Sequence, residues 1–129
     1  MSESFSVALN SSFAELWRYN IAVVVAGFDA DGEQLEVKSA QSHIADVGAN
    51  LKVAPEGYNR HRSLSVVSVP CESVEVLIYI IPHTLPSAKD IADAKPFNIH
   101  VTVSRGELSI HDAQHSVNQW SGDSITLKF

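Results

Sequence analysis

Residues 74–81 read Val-Glu-Val-Leu-Ile-Tyr-Ile-Ile, an almost unbroken run of β-branched, aliphatic and aromatic side chains. Such a run is short for a buried helix and right for a strand, and Val, Ile and Tyr pack well on a pleated surface. Pro82 closes it, since proline has no N–H to give to a ladder. A strand that is apolar at both parities is predicted to lie mid-sheet with both faces covered. Just before it, Ser63-Leu-Ser-Val-Val-Ser-Val69 is a second β-rich stretch, and Pro70-Cys-Glu-Ser73 between them has turn composition. The two read as one hairpin, Ser63–Ile81, on which the rest of the chain is organised.

The other segments supply partners for it. Phe5-Ser-Val-Ala-Leu9 alternates and reads as a first strand at a sheet edge. Trp17–Phe28 is the longest strand candidate. Its odd positions Trp17, Tyr19, Ile21, Val23 and Val25 form one apolar face. Its even positions start polar at Arg18 and Asn20 and turn apolar at Ala22, Val24, Ala26 and Phe28, which predicts a two-sided interior. A helix over Ser12–Tyr19 competes, because Ser12 and Glu15 have capping-box spacing. Asp31-Gly32 is a strong hairpin signal, and as a two-residue loop it sets Phe28 opposite Leu35 and Ala26 opposite Val37. Ser39–Asn50 stays open, with Ile44, Val47 and Leu51 at helical spacing and Leu51-Lys-Val53 an alternative short strand. Pro55–Arg62 is a loop and Ser87–Ala94 one or two helical turns. Phe97–Ser104 alternates with Phe97, Ile99, Val101 and Val103 facing in, and Glu107–His111 returns with Leu108 and Ile110 facing in. Ser124–Phe129 keeps its alternation to Phe129, so that end is expected to be docked in a sheet.

About eight strands, at most one or two short helices and no strand–helix alternation predict an all-β fold. Strands with one apolar face must bury it against a second layer, so the expectation is an antiparallel β-sandwich, residues 1–129 forming a single domain, with a closed β-barrel as the alternative. At 129 residues the chain is long enough for one core without staples. The Cys…Trp…Cys pattern of immunoglobulin domains is absent.

Charge narrows the function classes. Nine Lys plus Arg stand against fifteen Asp plus Glu, a formal net charge of −6, and no basic run exists. Nucleic-acid and anionic-membrane partners are therefore not expected. The longest apolar runs fall well short of the roughly 18 residues a membrane helix needs. The first residues, Met-Ser-Glu-Ser-Phe-Ser, show no apolar signal region, and the single Cys71 fits a reducing compartment, so a soluble, cytoplasmic protein is expected.

Three constellations carry chemistry. With Arg105-Gly106 as a two-residue loop, His100 faces His111 across a strand pair, and His115 follows. Opposed Cβ atoms lie roughly 5 Å apart, close enough for two imidazoles to share a metal ion or to sense protons. The same pattern also reads as a solvated polar face, and a bulge at Gly106 would offset the pair. Asp29-x-Asp31-Gly32-Glu33 resembles the opening of a calcium loop, but the twelfth position from Asp29 is Ala40 rather than Glu, and a plain hairpin turn accounts for both acids. Tyr58, Arg60 and Arg62 share one loop, where forked guanidinium hydrogen bonds and ring stacking can hold a carboxylate, phosphate or sugar. Trp120, in Asn118-Gln-Trp-Ser-Gly122, would join them as a ligand-binding surface if exposed.

No phosphate loop, dinucleotide fingerprint or nucleophile elbow occurs, and Cys71 beside Glu72 is poorly set as a nucleophile. No catalytic residues and no cofactor are expected. The sequence reading is a non-catalytic protein-interaction or assembly module, binding a protein partner or itself as a homo-oligomer. The alternatives are a small-ligand or carbohydrate-binding module on Tyr58, Arg60, Arg62 and Trp120, and a metal-binding protein on the His100–His111 pair with His115.

Overall fold

The computed structural model describes residues 3–13, 16–44, 63–84 and 96–129. Eight strands run in the order β1 (Phe5–Asn10), β2 (Tyr19–Phe28), β3 (Gln34–Ser42), β4 (Ser63–Val67), β5 (Ser73–Pro82), β6 (Phe97–Arg105), β7 (Leu108–Val117) and β8 (Asp123–Lys128). They form two four-stranded sheets, β4-β1-β6-β7 and β3-β2-β5-β8. Every pairing is antiparallel. Among the described residues neither sheet closes on itself, so this is the expected sandwich and not a closed barrel. Among the described residues no helix is long and apolar enough to cross a membrane.

Alternation builds the interior. Phe5, Val7 and Leu9 of β1 and Phe97, Ile99, Val101 and Val103 of β6 are buried from one sheet. Tyr19, Ile21, Val23 and Val25 of β2 and Val74, Val76, Ile78 and Ile80 of β5 meet them from the other. Each fully buried aliphatic side chain contributes roughly 1.5–3 kcal/mol of transfer free energy, so these four strands hold the layers together. Phe13 stacks on Phe97 at 4.3 Å between ring centroids, and Tyr19 lies 5.1 Å from the same ring, which closes one end.

The predicted Ser63–Ile81 hairpin does not form. β4 pairs with β1 and β5 with β2 and β8, in opposite sheets. The reason is the five residues between them. Ser68 accepts from the Phe5 N–H through its Oγ at 2.9 Å, while its own N–H donates to the Phe5 carbonyl at 2.8 Å. The Cys71 N–H donates to the Glu3 carbonyl, and the Glu72 N–H to the Phe28 carbonyl. The segment is thus tied to the first sheet at one end and the second at the other, and it changes layers. Gly27 makes room for this crossover: a Cβ there would stand 3.1 Å from the Cys71 Sγ.

Other expectations are corrected in position. β1 lies inside its sheet, between β4 and β6, rather than at an edge. β5 is central as predicted, but its outer side chains are not covered: Tyr79 and Ile81 are exposed. In place of the competing helix over Ser12–Tyr19, a single 3₁₀ turn at Leu16–Arg18 leads into β2. β3 runs through Ser42, so the helical spacing seen from Ser39 onward does not begin there. Ala26 pairs with Val37 as expected, but a bulge moves Phe28 opposite Gln34 instead of Leu35. At the far end Phe129 and Val74 exchange two backbone hydrogen bonds, so Phe129 is docked. The expected strand Leu51–Val53, the loop Pro55–Arg62 and the turns at Ser87–Ala94 lie outside the described residues.

Candidate functional site: an apolar outer sheet face

The pairing register decides which side chains leave the sandwich. On the β3-β2-β5-β8 sheet, Ala22 pairs with Tyr79, Val24 with Leu77 and Asn20 with Ile81. These alternate with buried Ile21, Val23, Ile78 and Ile80, so they point outward. Ala26 and Val37 extend the same surface. Seven apolar side chains (Ala22, Val24, Ala26, Val37, Leu77, Tyr79 and Ile81) therefore occupy one outer face. Gln41 and Ser39 of β3 and Ser124 and Thr126 of β8 flank it. Val37, Tyr79 and Ile81 are 42%, 39% and 47% exposed, far above the core residues beside them. Ile81 stands between two shallow hollows. One, about 360 Å³, is lined by Asn20, Ile21, Ala22, Gln41, Ser42, His43 and Ile81. The other, about 410 Å³, runs from Tyr79–Pro82 to Ser121–Ser124.

The structure separates the three histidines that the sequence grouped. Arg105 pairs with Leu108 and Ser104 with Ser109, but Val103 pairs with His111, so Ile110 is the extra residue of a bulge. His100 consequently sits opposite Gln114, not His111. It points outward and bonds the Asp112 carboxylate at 2.5 Å. The expected inward set is not the observed one: Leu108, next to the turn and opposite Arg105, is 67% exposed and the bulged Ile110 37%, while beyond the bulge His111 and His115 turn toward the other sheet. Their Nε2 atoms are 3.4 Å apart, and the His111 ring meets Phe129 edge-on at 5.5 Å. Burial and the neighbouring His111 lower the pKa of His115, and Asp123 partly offsets this. Among the described residues no group of three or more His, Cys, Asp or Glu is arranged to hold a metal ion.

The remaining candidates resolve one by one. Tyr58, Arg60 and Arg62 lie outside the described residues. Trp120 is half-buried in the turn before β8 with its indole N–H enclosed. Asn118 organises that turn by accepting from the Trp120 and Ser121 N–H groups. In the Asp29 turn, the Asp29 Oδ1 accepts from the Asp31 and Glu33 N–H groups at 2.9 Å each. That carboxylate closes the hairpin, as the plain-turn reading had it.

His83 is one of several buried polar side chains, and its setting is not legible in the sequence. His83 follows β5 and is 2% exposed. Its Nε2 lies 2.8 Å from the Trp17 carbonyl and its Nδ1 2.8 Å from the Thr84 hydroxyl. A neutral ring that donates from Nε2 and accepts at Nδ1 satisfies both contacts. Desolvation lowers its pKa, opposed by the Trp17 hydrogen bond. Its backbone N–H donates to the Arg18 carbonyl, so it pins the 3₁₀ turn to the end of β5. This places it at the Tyr19 end of β2, while Cys71 contacts Gly27 at the opposite end. The signal available was Pro82-His83-Thr84, a polar pair straight after a buried strand.

The fold thus defines a two-layer antiparallel β-sandwich whose central strands carry polar outward side chains on one sheet (β1 and β6) and mostly apolar ones on the other (β2 and β5), while exposed Val67, Leu108 and Ile110 stand on the edge strands of the first. No protein-family model matches the chain, and no curated protein matches its sequence. Among solved structures, the chain is similar to a domain of unknown function, DUF4425, from Bacteroides vulgatus. The TM-score is 0.47 at 11% identity, covering 99% of this chain and 92% of that one.

Proposed function

We propose that this protein is a non-catalytic assembly module, acting in the cytoplasm, which self-associates through the outer face of the β3-β2-β5-β8 sheet. The observation that carries the reading is the outward apolar stripe on the two central strands, in which Tyr79 and Ile81 are exposed and Val24 and Leu77 half-buried beside them. Contiguous exposed apolar surface of this kind marks interaction sites.

A second copy of the chain is the occupant that the stripe fits. Bulky Tyr79 stands directly opposite small Ala22, and Ile81 borders two hollows. One face therefore carries both projections and recesses, which is what a two-fold contact requires of a single self-complementary surface. Glu75 and Lys128 are paired at one end of the face, so a two-fold related copy can meet each charge with its opposite. A stable contact of ordinary size covers roughly 800 Å² per partner, on the scale of a four-stranded sheet face.

Light scattering during gel filtration tests this with the wild type, Ile81→Arg and Thr102→Arg. The expected result is a dimer for the wild type and Thr102→Arg, and a monomer with an unchanged circular dichroism spectrum for Ile81→Arg. A wild-type chain that stays monomeric at high concentration overturns self-association.

A further inference from the structure

We infer that His111 and His115 form a two-nitrogen chelate for a borderline divalent transition ion, of the Cu²⁺, Ni²⁺ and Zn²⁺ class. The site lies along the seam where β7 and β8, each the last strand of its sheet, face one another.

The β7 bulge creates it. Without the extra residue Ile110, the strand would turn His111 outward beside the solvent-facing positions; with it, His111, Ala113 and His115 all turn inward. Residues four apart on a strand are separated by roughly 13 Å along the backbone. The two rings nevertheless lean together over the small Ala113 until their Nε2 atoms are 3.4 Å apart, with ring planes 26° from parallel. Zinc binds imidazole nitrogen at about 2.0–2.1 Å, so two ligands on one tetrahedral ion sit about 3.3–3.4 Å from each other. The observed spacing is that separation. An ion at bonding distance from both nitrogens lies about 1 Å off the line joining them, which side-chain torsions can supply without moving the strand.

The surroundings suit the ion. Phe129 backs the His111 ring and fixes its orientation. The Asp123 carboxylate, at the start of β8, acts electrostatically on His115 and offsets the charge of a dication. Two imidazoles favour the borderline ions over Mg²⁺ or Ca²⁺, with Cu²⁺ strongest in the usual order of affinities. Water completes the coordination sphere.

The competing arrangement is a plain N–H···N hydrogen bond between the rings, and titration calorimetry with each metal alone separates the two. The expected result is saturable one-to-one binding, tighter for Cu²⁺ than for Zn²⁺. His111→Ala or His115→Ala should weaken it by roughly tenfold or more, the loss that even outer-shell partners cause. His100→Ala should leave it unchanged. Zinc should also shift the imidazole resonances of His111 and His115 while leaving those of His83 in place. His115→Gln retains a polar side chain and guards against a folding defect in the alanine variant. Absence of saturable binding up to millimolar metal, or equal affinity in the His111, His115 and His100 variants, overturns the site.

Discussion

The two outer faces of the sandwich are built from the same strand geometry and differ in what their central strands carry. On the β4-β1-β6-β7 sheet, the outward side chains of the central strands are Ser6, Ala8, Asn10, Asn98, His100, Thr102 and Ser104, with Asp112 and Gln114 on one edge strand and exposed Val67 on the other. On the β3-β2-β5-β8 sheet, the central outward positions are Ala22, Val24, Ala26, Leu77, Tyr79 and Ile81, bounded by Asn20 opposite Ile81 and Glu75 opposite Ala26. The inner faces are equally apolar, so folding alone demands nothing of the second outer face. Two-layer packing needs one apolar face per sheet, and this sheet has two. The excess is what the assembly proposal rests on.

The comparison breaks most severely if the inner and outer faces turn out energetically alike. Ile78 is fully buried and Ile81 is exposed on the same strand. Ile78→Ala should cost about 2–5 kcal/mol in urea unfolding. Ile81→Ala in the monomer should cost about 0.5 kcal/mol or less. Gly122→Ala should also destabilise strongly, because φ at Gly122 is +67° and a Cβ would run into the Ile80 carbonyl; a loss of about 1–3 kcal/mol is expected from the thermal midpoint.

Acid should act next. The folded pKa values of His83 and His115 lie below the unfolded value of 6.5, for burial in both cases. Below pH 6.5 the unfolded chain therefore binds more protons than the folded one, and stability falls as pH drops until the folded values are passed. His83→Gln should flatten that fall in denaturation midpoints measured at successive pH values. The smallest effect belongs to the polar face. Asp112→Asn removes the partly exposed His100–Asp112 pair, and a double-mutant cycle should return about 0.2–1 kcal/mol. A larger value would mean that the polar face also does more than meet solvent.

The sequence shows some of this plainly and hides the rest for definite reasons. β2, β6 and β8 are legible because alternation is local and each strand keeps it. The sandwich follows, since half-apolar strands need a second layer. Pairing is not local. Nothing in Ser63–Val69 distinguishes a strand that folds back on its successor from one that crosses to β1; that choice rests on the contacts of Ser68 and Cys71 with residues far away in the chain. Register is fragile for a related reason. The turn falls at Gly106-Glu107 rather than Arg105-Gly106, which shifts the register by two, and the extra residue Ile110 shifts it by one more, so His111 leaves His100 and neighbours His115; the histidines are legible in the sequence while their grouping is not. The apolar run of β5 was visible, but an exposed outer face and a covered one have the same composition. The exposure of Trp120 is not legible in the sequence because it depends on how the turn around Asn118 packs.

The crossover between β4 and β5 also bears on how the chain reaches its native state. β4 is adjacent to β5 in sequence, yet Val67 waits for Ser6, and Ser73 for Phe28. Among the described strands only β2–β3 and β6–β7 can zip as local hairpins. Every other ladder closes a long loop before any burial compensates for the lost entropy, and folds of this kind reach the native state in milliseconds to seconds rather than microseconds. The second sheet is complete only when β8 joins β5. On a ribosome, the apolar stripe of β2 and β5 is therefore made and displayed before the strand that flanks it, and a nascent chain passes through a period in which its stickiest surface is least protected.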